Sequence, residues 1–166
     1  IQERILCKDL CHEFNNLKPS NSDERNLLIK KIIHNSKENI HIESAFWCDY
    51  GYNIFVGENF YSNHNLVILD GAKVTFGDNI FIGPNCSFYT AGHPFDVDQR
   101  NAGLEYAKPI TVGNNVWFGG NVVVLPGVSI GDGAVIGAGS VVTKDIPENV
   151  LAVGNPCKVV KTLKND

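Results

Sequence analysis

Apolar positions change period partway along the chain. Leu6, Leu10, Phe14 and Leu17 recur at spacings of four and three with charges between them, which predicts one face of a helix. Pro19 ends that segment. Ser20 followed by Asp23, or the acidic start Ser22-Asp23-Glu24, caps a second predicted helix running to about His34, with Leu28, Ile29, Ile32 and Ile33 as its apolar face. The charges on both helices nearly balance and read as a solvated surface. From about residue 50 a period of six takes over: Val112, Phe118, Val124, Ile130, Ile136 and Val142 are all apolar. A parallel series, Val116, Val122, Val128, Ala134 and Ser140, is apolar or small. Phe76-Gly77 and Ile82-Gly83 share the phase, whereas Ile54 and Val56-Gly57 are offset by two, so an insertion is expected near Asp70-Gly71.

Six residues rotate by about 240° on an α-helix, so they cannot share a face there. Glycine after most of the inward positions would keep interrupting a long strand. A coil of very short strands with a turn every six residues satisfies both, which is the hexapeptide pattern of parallel β-helices. Glycine is expected at the corners, either because a Cβ would crowd or because φ is positive. Between Phe88 and Ile110 the repeat is absent, although Ile82 and Val112 stand five whole periods apart. A loop projecting near residues 89–109, with the coil resuming in phase beyond it, is therefore predicted. Such a loop on a rigid scaffold is the first place to look for chemistry.

The chain has 166 residues, enough to bury a core without a disulfide or metal staple. Its net charge of −4 argues against general nucleic-acid binding, though not against a local basic patch. No apolar run approaches the roughly 18 residues of a membrane span. Five cysteines without a CxxC pair fit a reducing cytoplasm, and Cys7 and Cys11 are expected to pack as small hydrophobes. Methionine is absent even at position 1, so the natural start is expected upstream of Ile1.

Several stretches together resemble the maltose and galactoside O-acetyltransferase branch of the hexapeptide-repeat acyltransferases. They are Cys48-Asp-Tyr-Gly-Tyr-Asn53, Asn59-Phe-Tyr-Ser-Asn63, Thr90-Ala-Gly-His-Pro94, Ile110-Thr-Val-Gly-Asn-Asn-Val-Trp-Phe-Gly119, Ile136-Gly-Ala-Gly-Ser-Val-Val-Thr-Lys144-Asp-Ile-Pro147 and Val153-Gly-Asn-Pro156. The resemblance implies a mainly β fold, a left-handed parallel β-helix, where the general rule for parallel crossovers would give the opposite hand. It divides the chain into an N-terminal helical segment at 1–47, an acetyltransferase β-helix at 48–157 and a basic tail at 158–166. It also implies a homotrimer, with acetyl-CoA as co-substrate and the acceptor between neighbouring subunits, and no required metal.

Carried onto this sequence, the resemblance makes His93 the general base, since a neutral imidazole can take a hydroxyl proton near neutral pH. Taken alone, His93 could equally be a solvated loop histidine held by Pro94. Asn63 matches the residue that stabilises the developing oxyanion, with a corner asparagine as the competing reading. Glu105 could accept from His93 and fix its tautomer, or lie free on the surface. Asp49, Tyr61 and Asp70 match the acceptor pocket, although turn chemistry before Gly71 also explains Asp70. Coenzyme A contacts fall on Gly120, Ala138, Thr143, Lys144, Lys158 and Lys161: small residues beside the pantetheine arm and lysines on phosphate. The resemblance further implies an acidic acceptor contact from upstream of Ile1.

The reading is an acetyl-CoA-dependent O-acetyltransferase for a small sugar or related hydroxyl compound, by direct transfer. Three alternatives remain open at this point. One is an amine or other non-sugar acceptor. Another is a metal-dependent hydratase of the carbonic anhydrase type, which would need three metal-binding histidines. The third is a solenoid that only binds.

Overall fold

The computed structural model describes residues 1–163. Two helices open the chain, α1 (Gln2–Asn16) and α2 (Ser22–Ile32). Both helices form as expected, and of the expected face of α1 Phe14 is buried and Leu10 and Leu17 pack partly buried on the core, but the face is rotated toward the cysteines. Cys7, Cys11 and Phe14 are buried while Leu6 is 60% exposed. The two rows have nearly the same spacing, so periodicity could not choose between them. Nor are all the helix charges solvated. Arg25 is buried, with its guanidinium over the Phe14 ring and donating to Ser44 Oγ and the Ile42 carbonyl. Asn21 precedes α2 without a side-chain cap bond, in place of the expected serine cap.

Coils follow at once. The first is β1 (Asn35–Ser36), β2 (Ile40–Ile42) and β3 (Phe46–Cys48), so the solenoid starts ahead of the boundary expected at residue 48. The second is β4 (Ile54–Val56), β5 (Phe60–Ser62) and β6 (Leu66–Leu69); the third is β7 (Val74–Phe76), β8 (Ile80–Ile82) and β9 (Ser87–Tyr89). The excursion then carries β10 (Ala91–Gly92), α3 (Val97–Asn101) and β11 (Tyr106–Ala107). The coil resumes with β12 (Ile110–Val112), β13 (Trp117–Phe118) and β14 (Val123–Val124), followed by β15 (Ser129–Ile130), β16 (Val135–Ile136) and β17 (Val141–Val142). A last partial coil holds Ile146 and β18 (Val150–Val153). The expected tail is instead a strand over its first part: β19 (Lys158–Thr162) returns antiparallel along β18. Lys164 and the rest of that tail lie outside the described residues.

Strands stack into three parallel sheets, one per side of the coil. Thr111 pairs with Thr75 on one side and Ser129 on the other, so the coil does resume in register across the excursion. Inward positions fill the core almost without exposure, from Ile54 and Phe60 through Phe118, Val124 and Ile136 to Val142.

The corners divide the labour that the sequence assigned to glycine alone. Gly77 and Gly119 have ordinary φ, but a Cβ on either would sit 2.7 Å from the Gly113 carbonyl oxygen or 2.6 Å from the Ala138 nitrogen. Two residues later, the left-handed conformation is carried by asparagine in the earlier coils, with φ 59° at Asn79, 57° at Asn115 and 59° at Asn121, and by the expected glycine in the last full coil, with φ 66° at Gly133 and 73° at Gly139. Asparagine tolerates that region, and its amide then bonds the next coil. Asn59 donates to Asn79 at 2.9 Å and Asn79 to Asn115 at 3.0 Å, forming a ladder up one edge.

Candidate active site

The excursion is built to hold a rigid tip. Thr90 is fully buried at its root, where its hydroxyl donates to the Leu69 carbonyl at 2.6 Å and accepts from the Ala72 amide at 2.9 Å. β10 and β11 pair antiparallel, with Gly92 opposite Tyr106. A Cβ at Gly92 would stand 2.6 Å from the end of the Tyr106 ring, so a side chain there would displace that ring from where it crosses the ribbon. Asp96 caps α3 by accepting from the Gln99 amide at 2.9 Å.

His93 follows directly on this ribbon. The Leu104 carbonyl lies 3.0 Å from its Nδ1 and can only accept, so in the neutral ring Nδ1 carries the proton and Nε2 the lone pair. Glu105, expected to fix the tautomer, lies instead on the other side, with its Oε1 3.7 Å from Nε2. That is too long for a hydrogen bond. The orienting contact belongs to a backbone oxygen, and the carboxylate stands beside the reactive nitrogen.

His93 and Glu105 border a cavity of about 440 Å³ together with Asp49, Arg4, Tyr50 and Tyr106. Arg4 had no place in the sequence reading. Its Nη2 and Nε donate to Asp49 Oδ1 at 2.9 and 3.2 Å, and this carboxylate pushes the guanidinium pKa up. The pair ties α1 to the corner after β3. Asp49 Oδ2 has no side-chain partner among the described residues and remains an acceptor.

Asp70 is not a pocket residue. It is fully buried, and its Oδ1 accepts from the amides of Asp49 and Tyr50 at 2.8 and 2.9 Å while Oδ2 accepts from Gly51 at 2.7 Å. Burial pushes its carboxyl pKa up, against the pull of these amides. Turn chemistry thus explains Asp70, which positions Asp49 from below. Asp70→Asn turns an amide NH₂ toward one of the backbone donors and is expected to cost about 1–3 kcal/mol in urea unfolding.

The remaining expected residues are not brought to this cavity within one chain. Asn63 follows β5, its side-chain oxygen taken by the His64 amide at 2.7 Å and its Nδ2 without a partner among the described residues. Tyr61 stacks on His41 at 5.5 Å on the outer face of the sheet holding β5. There it stands in register with Phe81, and Phe81 with Trp117; these last two are 54% and 56% exposed. Gly120 and Ala138 occupy one corner of successive coils, where the Gly120 carbonyl accepts from the Gly139 amide at 2.9 Å. Thr143 and Lys144 follow β17, and Lys158 and Lys161 are exposed on β19.

Comparison with known proteins places the fold. Residues 1–36 match the family described as the maltose acetyltransferase hexapeptide capping motif, and residues 109–144 the bacterial transferase hexapeptide (six repeats). Galactoside O-acetyltransferase of Escherichia coli (strain K12) is 48% identical over 164 residues, which is 99% of this chain and 81% of that protein. Among solved structures, a galactoside acetyltransferase in complex with coenzyme A superposes with a TM-score of 0.96 at 48% identity, covering 99% of this chain and 82% of that one. A maltose O-acetyltransferase from Clostridium difficile 630 gives the same TM-score and identity over 99% and 88%. The chain belongs to the maltose and galactoside O-acetyltransferase branch of the hexapeptide-repeat acyltransferases.

Proposed function

We propose that this protein transfers the acetyl group of acetyl-CoA to a hydroxyl of a small sugar, at a site completed between subunits of a homotrimer. The observation that carries the reading is the 3.0 Å contact of His93 Nδ1 with the Leu104 carbonyl, on a residue that borders the cavity; in the neutral imidazole it leaves Nε2 as the base. Nε2 takes the proton of the attacking hydroxyl as its oxygen reaches the thioester carbonyl, and gives it back to the departing CoA sulfur. Asp49 orients the acceptor by receiving its other hydroxyls. The Asn63 amide donates to the charge developing on the acyl oxygen without bringing a charge of its own.

The separation of Asn63 and Tyr61 from His93 within one chain supports a shared site: a neighbour can bring one chain's excursion against another's outer sheet. The row of half-buried Tyr61 with exposed Phe81 and Trp117 is an apolar face of the kind that association covers. Gly120, Ala138, Thr143 and Lys144 would then border coenzyme A, with Lys158 and Lys161 on its phosphates. A cytoplasmic setting fits five cysteines that are all free. No helix among the described residues is long and apolar enough to cross a membrane.

The test is a panel of mono- and disaccharides mixed with acetyl-CoA and the protein, with the free thiol of CoA followed colorimetrically. Thiol release that rises with one or more sugars is the expected outcome. Release that ignores every sugar while an amine accelerates it would replace the hydroxyl acceptor.

A further inference from the structure

Three cysteines converge where α1 packs on β3. Cys7 and Cys11 lie one turn apart on the buried face of α1, and Cys48 ends β3. Cys48 Sγ is 3.4 Å from Cys7 Sγ and 3.8 Å from Cys11 Sγ, and all three sulfurs lie within 4.8 Å of one another. Each thiol is free and no more than 5% exposed. A packed thiol commonly spends its S–H on a carbonyl, as Cys86 does on Gly119 at 3.1 Å. Here the sulfurs face one another, and the backbone acceptor beside them, the Cys48 carbonyl, is 3.9 Å from Cys7 Sγ.

We propose that Cys7, Cys11 and Cys48 form a trigonal all-sulfur site for one soft monovalent metal ion of the copper(I) class. Metal–sulfur bonds of about 2.3 Å in a trigonal plane set neighbouring sulfurs about 4.0 Å apart, so the 3.8 Å edge nearly fits and the 3.4 Å edge opens by about 0.6 Å as the ion enters. Among the described residues, no histidine or carboxylate joins the three sulfurs. A structural zinc site wants a fourth ligand, whereas sulfur-only, low-number coordination selects copper(I). An entry path exists: Cys7 lines a surface groove of about 200 Å³ that Lys31 and His34 also border.

Loading is a ligand exchange without electron transfer. Cu⁺ and three Cys–SH give a copper(I) tris-thiolate of charge −2, and three protons leave to solvent through the groove. The ion would pin α1 to the corner that carries Asp49, without touching the acetyl-transfer residues.

The experiment titrates the reduced protein with copper(I) in oxygen-free buffer against bathocuproine disulfonate, a coloured competing chelator. One equivalent per chain should leave the chelator, with a sulfur-to-copper charge-transfer band in the near ultraviolet and a native mass spectrum heavier by one copper. Cys7→Ser should weaken retention at least roughly tenfold, whereas Cys86→Ser, at a buried thiol outside the cluster, should not. Circular dichroism separates loss of a ligand from loss of fold. If Cys7→Ser does not fold, Cys11→Ser is read in the same way. Copper left wholly on the chelator, equal retention by the cluster variant, or one equivalent of zinc held in preference to copper would each overturn the proposal.

Discussion

His93→Ala lowers kcat for acetyl transfer by about 10²–10⁴-fold, the range for a lost general base, while the protein stays folded. The fold survives because the tip does not depend on the imidazole. Thr90 anchors the root, the β10–β11 ribbon spans the middle and the Asp96 cap holds α3. The ring is about half exposed and makes one hydrogen bond, to the Leu104 carbonyl. KM for acetyl-CoA should change little, since the residues assigned to coenzyme A lie elsewhere on the coil. Glu105→Gln provides the contrast. Its carboxylate makes no hydrogen bond to Nε2 at 3.7 Å, so turnover should fall far less than in His93→Ala. CoA release under saturating acetyl-CoA measures both variants. Near-normal turnover in His93→Ala would remove the imidazole from the chemistry, and a larger loss in Glu105→Gln would make the carboxylate the base.

Most of the solenoid could be read from residue order because each coil repeats one inward position, and a repeat multiplies a weak local signal. Val112, Phe118 and Val124 mean little singly; in a row they leave few other folds. The helical start lacked that redundancy. A face of Leu6, Leu10 and Phe14 and a face of Cys7, Cys11 and Phe14 satisfy nearly the same period; the cysteines went fully inside, Leu10 only partly and Leu6 not. Corner chemistry was half legible. Glycine does mark the crowded position, but positive φ falls two residues on, where Gly133 and Gly139 share it with asparagines whose amides can also ladder between coils. At the candidate site, motif residues such as His93 and Asp49 could be found by their neighbours in sequence. Arg4 could not, because its partner stands 45 residues away. Nor could the acceptor that fixes the His93 tautomer, since a backbone carbonyl has no residue type to betray it. Asp70 shows the converse: an acidic residue in a family position whose oxygens are consumed by three amides.

The largest loss of stability is expected at Phe88. Its ring stands edge-on between Phe76 and Phe118, with centroids 5.0 and 5.2 Å away, and Phe60 extends the row beyond Phe76 at 5.2 Å. These rings come from all three sides of the coil, so the row is an axial stack that ties the third coil to the coils before and after it. Phe88 is fully buried, with no solvent into which a truncated site could open. Phe88→Ala should therefore cost about 3–5 kcal/mol, the transfer term plus a cavity that neighbouring coils cannot close. The loss is large against the roughly 5–15 kcal/mol of an ordinary domain. Phe88→Leu leaves a smaller cavity and should cost clearly less than Phe88→Ala. Because each coil touches only its neighbours, the damage falls where the chain leaves for the excursion. Thr90, two residues on, would lose a rigid base, and acetyl transfer should fail at lower urea than global unfolding in Phe88→Ala. Urea titrations followed by circular dichroism and by CoA release test this directly: coincident midpoints would mean that the excursion does not depend on the stack beneath it.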